Sequence, residues 1–234
     1  MTIGFRVLPR VRSVNAELAR QYFAVPVANV SDVMSRMTSG GSRLRPMHAS
    51  GHLAGPALTV KTRPGDNLMV HMALNLAQPG DVIVVDAGGD LTNALFGEMM
   101  LRTAEKRGVA GIVIDGAIRD LEAIGAGNFP VYAAGVTHRG PYKDGPGEVN
   151  VPISISGMVV EPGDLIIGDE DGVLCVPFDE VESVLENAKA KHLAELQSVE
   201  RIHAGIEDRS HWEERLRSLG CEFVNDATVV GIPA

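Results

Sequence analysis

The chain has 234 residues, a net charge of −9, 45% hydrophobic residues and only 4% aromatics. That length is enough for one large domain, or one domain with an appended tail, whose core is packed mainly by small aliphatic side chains. An acidic chain without a block of Lys and Arg is no duplex-binding protein, and no apolar run reaches the roughly 20 residues of a membrane helix.

Residues 1–12 mix arginine with apolar residues but lack the apolar segment and cleavage site of a secretory leader, so a soluble, cytoplasmic protein is expected. Residues 13–23 read as a short helix. Asn29-Val30-Ser31-Asp32 reads as a second helix start, with Asn29 or Ser31 as its cap. Residues 51–63 form a strand candidate. Pro64-Gly65-Asp66 is a turn, and residues 67–77 carry apolar side chains at helical spacing. After the turn Pro79-Gly80-Asp81, the run Val82-Ile83-Val84-Val85 predicts a buried strand. Gly88-Gly89 breaks the chain, a helix is predicted over 93–106, and Gly108 closes it. Residues 111–114 are a further buried strand, 115–118 a loop with a turn at Gly116, and 130–133 another strand. Strand–helix–strand–helix–strand is the pattern of a parallel sheet with right-handed crossovers.

The polar, glycine-rich loop 137–147 marks a change of character. Short strands over 149–155, 159–160, 165–167 and 173–176 suggest a second, mostly antiparallel layer. One long helix runs from 179 to about 204, and the tail adds an amphipathic helix at 212–219 and an extended end. Cys175 and Cys221 fit neither a zinc spacing nor a CxxC pair, and free thiols suit a reducing compartment. Gly88-Gly89 is no GxGxxG loop, which argues against a nucleotide-type cofactor or a methyltransferase.

Function-type residues concentrate at two strand-to-helix junctions, 97–100 and 115–120, where a parallel α/β core receives ligands. A helix start offers unpaired N–H groups and a positive dipole end to a carboxylate. Gly97 permits close backbone approach, so the amides of Met99 and Met100 are candidate donors. Arg119-Asp120 pairs a guanidinium able to grip a carboxylate with a hard oxygen ligand suited to magnesium or manganese. Asp66 is read as a cap for the following helix, and Asp86, Asp115, Asp169 and Asp171 as turn or cap residues.

Gly80 through Asp86, Gly97-Glu98, Gly111 through Gly116 and Arg119-Asp120 together resemble the RraA-like family, which includes the class II 4-hydroxy-4-methyl-2-oxoglutarate/4-carboxy-4-hydroxy-2-oxoadipate aldolases. An acidic residue, twenty intervening residues and then Arg-Asp is that family's aldolase signature, met here by Glu98 and Arg119-Asp120. Ser31-Asp32, Gly55-Pro56-Ala57, Pro64 through Asn67, Gly163-Asp164 and Gly168-Asp169 extend the resemblance over about residues 25–205.

The resemblance implies an α/β, layered β/β/α swivelling-domain-like fold with a parallel-rich central sheet, a second sheet layer and a long C-terminal helix. It implies a domain over 1–205 and a tail, 206–234, packing on that domain or on a neighbouring subunit. By the same resemblance Asp120 binds Mg2+ or Mn2+, and Arg119 holds the substrate with Gly97, Met99 and Met100. Glu98, where the aldolases usually carry aspartate, orients or deprotonates a water. Asn67, His71 and Lys143 line the pocket. Glu195, with Glu200 as the rival, serves the metal of a neighbouring subunit in a homotrimer or homohexamer. The implied reaction cleaves a 4-hydroxy-2-keto acid to pyruvate and a carbonyl product, with oxaloacetate decarboxylation through the same enolate. Lys143 as a Schiff-base nucleophile competes with that metal route. A different class, the regulatory module that inhibits a ribonuclease by contact, is the alternative, and Glu98 with Glu195 argues against it.

Overall fold

The computed structural model describes residues 2–206 and 209–223. The chain divides into two compact units, Met1–His192 and Leu193–Ala234. In chain order the elements are β1 (Phe5–Val7), α1 (Ala16–Gln21), α2 (Val27–Val33), β2 (Arg45–Pro46), β3 (Leu53–Thr62), α3 (Leu68–Leu76), β4 (Val82–Asp86), β5 (Ala94–Phe96), α4 (Glu98–Lys106), β6 (Gly111–Ile118), α5 (Leu121–Gly125) and β7 (Val131–Val136). The short strands β8 (Gly147–Val149), β9 (Ile153–Ile155), β10 (Met158–Val160), β11 (Leu165–Asp169) and β12 (Gly172–Val176) follow, then α6 (Val181–His203) and α7 (Ser210–Ser218).

The large sheet runs β1-β8-β3-β4-β6-β7-β2, and its centre, β3-β4-β6-β7, is parallel. The β9–β10 pair forms a small separate sheet. Strand β3 is long enough to serve three neighbours. Its first residues pair antiparallel with β11, which also pairs with β12, and its last three pair antiparallel with β8. The run at 82–85 is apolar throughout because β4 is covered on both faces. Ile83 and Val85 pack with Ile112, Ile114 and the helix residues Val70, Leu74 and Leu101. Val82 and Val84 pack with Val113, Tyr132, Ile153, Ile155 and Ile166. A third cluster seats α1, α2 and the first turns of α6 on β11 and β12, through Ala19, Val30, Leu165, Leu174, Val181 and Leu185. This is the expected class: an α/β fold with a parallel-rich central sheet, a smaller second sheet and a long C-terminal helix.

Several local expectations are corrected. Helix α2 starts at Val27, so Asn29 and Ser31 lie inside it rather than at its cap position. Asp169, at the end of β11, accepts the Val27 N–H at 2.9 Å and takes the capping role. Residues 94–96 are extended rather than helical, because they pair with the end of β6 (Ala94 with Ala117, Phe96 with Ile118). For the same reason β6 continues to Ile118, where a loop was expected. Gly116 makes no turn: a Cβ there would stand 3.2 Å from both Ala87 Cβ and Leu95 Cδ1, so its role is close packing. Asp115 likewise sits buried within β6, and its Oδ1 has no hydrogen-bond partner among the described residues. Burial pushes its pKa up, Arg43 pulls it down and Asp86 pushes it up again. Asp86 does serve a turn, accepting the Gly88 N–H at 3.0 Å. Cys175 is buried and its thiol pKa is raised well above the ordinary value by burial and by Asp164, whereas Cys221 is exposed.

In the second unit, Glu213 and Arg217 pair on α7, and the Arg217 guanidinium lies 4.1 Å from the Phe223 ring centre. Leu193, Leu196, Val199 and Ile202 on the distal part of α6 are exposed. The extended end expected after residue 219 falls largely on residues 224–234, outside the described residues. Among the described residues no helix is long and apolar enough to cross a membrane.

Candidate active site

Strands β5 and β6 end side by side, and the chain leaves each into a helix. Gly97 is the hinge between β5 and α4. Its backbone is extended (φ −161°, ψ −172°), a conformation open to any residue, so the requirement for glycine lies in space. A Cβ on Gly97 would stand 2.5 Å from Asp120 Oδ2, 3.0 Å from Arg119 Cγ and 3.2 Å from Arg119 Nε. Arg119 and Asp120 are thus laid directly over the Gly97 backbone. The Arg119 N–H donates to Phe96 O at 3.0 Å, and the Glu98 N–H donates to Asp120 Oδ2 at 2.9 Å. Arg119 Nε lies 3.6 Å from the same oxygen. Asp120 takes a left-handed backbone (φ 57°, ψ 40°), which costs a residue bearing a β-carbon about 1–2 kcal/mol. Such strain concentrates at working sites, where the surroundings hold it in place.

A cavity of about 200 Å³ opens beside this junction, lined by Asn67, His71, Ala94 to Gly97, Met99, Met100, Arg119, Pro141 and Lys143. The structure therefore gathers seven expected residues around one space: Gly97, Met99, Met100, Arg119, Asn67, His71 and Lys143. Asn67 is buried. Its amide nitrogen donates to Leu95 O at 3.0 Å, while its Oδ1 has no partner among the described residues. A buried, orphaned acceptor on a cavity wall is costly unless a ligand or water supplies a donor. His71 is one turn along α3. Burial, and then the Lys143 cation, hold its pKa below the ordinary histidine value, so it is neutral at pH 7.

The helix-start amides are corrected in one respect. The Met100 N–H is committed to Gly97 O at 3.1 Å, and the Glu98 N–H to Asp120, which leaves the Met99 amide as the donor available to a ligand. Glu98 does not line this cavity. It borders a second hollow with Arg102, Asp120 and Glu122, and its Oε1 accepts from Arg102 at 3.2 Å. Glu122 was missed in the sequence; an acid two residues past the Arg-Asp pair, in the first turn of α5, was the available signal. Asp66 caps α3 as expected, accepting the Leu68 N–H at 2.9 Å. Burial would raise its pKa, but that bond, the Asp144 and Gly145 N–H groups and Arg63 together hold it below the ordinary carboxylate value. Glu195 lies on α6 within the second unit.

Asp120 is a carboxylate that could hold a divalent cation. Among the described residues both of its side-chain contacts employ Oδ2, which leaves Oδ1 open to a ligand. Among the described residues no three acidic, histidine or cysteine side chains converge on one point. That donor set fits magnesium, which keeps several waters and needs only one or two carboxylates; it does not fit zinc or an all-protein calcium cage. A larger hollow of about 600 Å³ runs along residues 7–13. Its arginines are both spent, Arg10 on Asp81 and Arg12 on Glu161 and Asp179.

Residues 27–175 match the RraA-like (Aldolase/RraA) family model, and the chain belongs to that family. A protein of Halalkalibacterium halodurans, provisionally named 4-hydroxy-4-methyl-2-oxoglutarate aldolase, is 45% identical over 171 residues, covering 73% of this chain and 81% of its own. Among solved structures, Streptomyces coelicolor RraAS2, described as an unusual member of the RNase ES inhibitor RraA family, superposes with a TM-score of 0.71 at 27% identity, covering 80% of this chain and 98% of its own. The RNA-processing inhibitor RraA of Thermus thermophilus superposes at 0.60 with 32% identity, covering 65% of this chain and 92% of its own.

Proposed function

We propose that this protein is a divalent-metal-dependent carbon–carbon lyase that cleaves a 4-hydroxy-2-keto acid to pyruvate and a carbonyl product. The observation that carries the reading is the Arg119-Asp120 pair seated on Gly97 between two hollows: Arg119 lines the small cavity with the orphaned polar wall, and Asp120 lines the adjoining hollow that Glu98 borders. The name of the Halalkalibacterium relative points the same way. Bound at Asp120, Mg2+ or Mn2+ would supply Lewis acidity toward the substrate's carboxylate and keto oxygens. Arg119 provides a fixed positive charge beside the oxygen that gains electrons as the C3–C4 bond breaks. The Met99 amide, at a helix start, suits the substrate carboxylate. The C4 hydroxyl proton passes to a base, a role proposed for Glu98 acting through a water, since it borders the same hollow as Asp120. The bond's electron pair stays on the three-carbon fragment as an enolate, and protonation at C3 yields pyruvate. Oxaloacetate loses CO2 through the same enolate, so decarboxylation is expected as a second activity. Lys143 acts here as a cation in the wall and not as a Schiff-base nucleophile.

The working form is proposed to be a cytoplasmic homotrimer or homohexamer. Leu193, Leu196, Val199 and Ile202 form an exposed apolar stripe at three-residue spacing on α6, which a second copy would cover. By helical spacing Glu195 shares the face of Val199 and Ile202, and Glu200 that of Leu193 and Leu196, so both acids border the stripe; Glu195 is proposed to serve a neighbour's metal site, with Glu200 as the rival.

The structural kinship with RNase inhibitors supplies a second reading, a regulatory module acting by contact. Purified protein assayed with Mg2+ or Mn2+ against 4-hydroxy-2-keto acids and oxaloacetate, with pyruvate coupled to lactate dehydrogenase, separates the two. The lyase reading expects NADH consumption that EDTA abolishes and added metal restores. No pyruvate from any member of the panel would leave the regulatory reading standing.

A further inference from the structure

The Lys143 wall of the cavity depends on a carboxylate that never reaches the cavity. Asp66 is fully buried. Its Oδ1 accepts the Leu68 N–H at 2.9 Å, at the start of the helix that carries His71. Its Oδ2 accepts the N–H groups of Asp144 and Gly145, each at 2.8 Å, immediately after Lys143. Arg63 Nη2 reaches the same oxygen at 3.1 Å and balances the charge. The backbone repeats the join: the Asn67 N–H donates to Tyr142 O at 3.0 Å, and the Tyr142 N–H donates to Gly65 O at 2.9 Å. One buried group thus grips the α3 wall with one oxygen and the loop wall with the other. N–H bonds to an ionised acceptor are among the stronger kinds, so the spacing between the walls is set firmly.

We infer that Asp66 is a positioning residue that sets Lys143 against Asn67 and His71, and so controls how tightly the site holds its keto acid. This rests on the lyase reading in counting Lys143 as a substrate contact. An amide at this position cannot reproduce the clamp. In Asp66→Asn the remaining side-chain oxygen could keep the Leu68 N–H bond, but the new NH2 would face two further N–H groups donor to donor.

The experiment compares wild type with Asp66→Asn, each with Lys143 intact and with Lys143→Ala. Hydrogen exchange over residues 139–147 is measured without substrate, and kcat and KM are measured for the keto acid that the wild type cleaves. Asp66→Asn is expected to speed exchange in that segment and to raise KM about tenfold, with kcat within about threefold of wild type. The KM effect is expected to vanish in the Lys143→Ala background, as coupled residues require. Unchanged exchange, or an equal KM effect in both backgrounds, would overturn the inference. If Asp66→Asn does not fold, Asp66→Ser, which can still cap α3 but cannot span to the loop, carries the same comparison. If the wild type releases no pyruvate, the lyase reading fails by itself and loop exchange alone decides whether Asp66 holds the loop.

Discussion

Arg119→Ala is expected to lower kcat/KM for pyruvate release by roughly 10³-fold, the scale on which losing one aligned charge or donor at a developing oxyanion is felt. Its side chain is half-exposed, and among the described residues its one ion contact is the 3.6 Å approach to Asp120, so the fold has little stake in it. Thermal unfolding should move by less than about 1 kcal/mol. Arg119→Lys keeps a charge but loses the planar fork, and should recover only a small part of the rate. Asp120→Ala should lose activity to a similar degree, because it removes the carboxylate open to the cation. The lactate dehydrogenase assay reads all three. Turnover close to wild type in Arg119→Ala would remove the guanidinium from the chemistry.

Gly97→Ala tests the same junction without touching a charged group. The backbone at Gly97 is extended, so alanine meets no torsional penalty. The new methyl group would sit 2.5 Å from Asp120 Oδ2, inside contact distance, and 3.0 Å from Arg119 Cγ. Asp120 must then swing away, giving up the Glu98 N–H and the position that a cation requires. A displacement of about 1 Å in a reacting group commonly costs about 100-fold in rate. The expectation is therefore a drop of about 10²-fold in kcat/KM with a nearly unchanged melting temperature, together with weaker Mn2+ activation. A metal titration followed by the coupled assay measures both. Full activity at saturating metal would show that Asp120 and Arg119 do not need the space that glycine leaves.

Much of this junction was legible before any coordinates. The apolar run at 82–85 reads as a strand buried on both faces, and the adjacent opposite charges of Arg119-Asp120 stand out just beyond a second such run. What escaped the sequence was set by partners distant in the chain. Residues 94–96 carry no strong strand pattern of their own and are extended only because β6 runs on to Ile118 beside them. The start of α2 is fixed by Asp169, 142 positions away. Asp66 reads as a cap from its neighbours alone; its grip on Asp144 and Gly145 depends on a loop 78 and 79 residues further on. The commitment of the Met100 amide to Gly97 and the left-handed backbone of Asp120 are local, but residue type does not disclose either. Glu122 carries only a weak sequence signal of its own, because an acid in a first helical turn is ordinarily explained by the helix dipole.

Asp120 and Arg119, with a divalent cation, are proposed to stabilise the enolate of pyruvate. Proton NMR of pyruvate in D2O tests it without requiring the natural substrate. The methyl protons should exchange with solvent in the presence of wild-type protein and Mg2+ or Mn2+. That exchange should stop with EDTA and fall to the uncatalysed rate in Asp120→Ala and Arg119→Ala. Exchange that persists unchanged in EDTA or in either variant, or none at all with metal and wild-type protein, would contradict it.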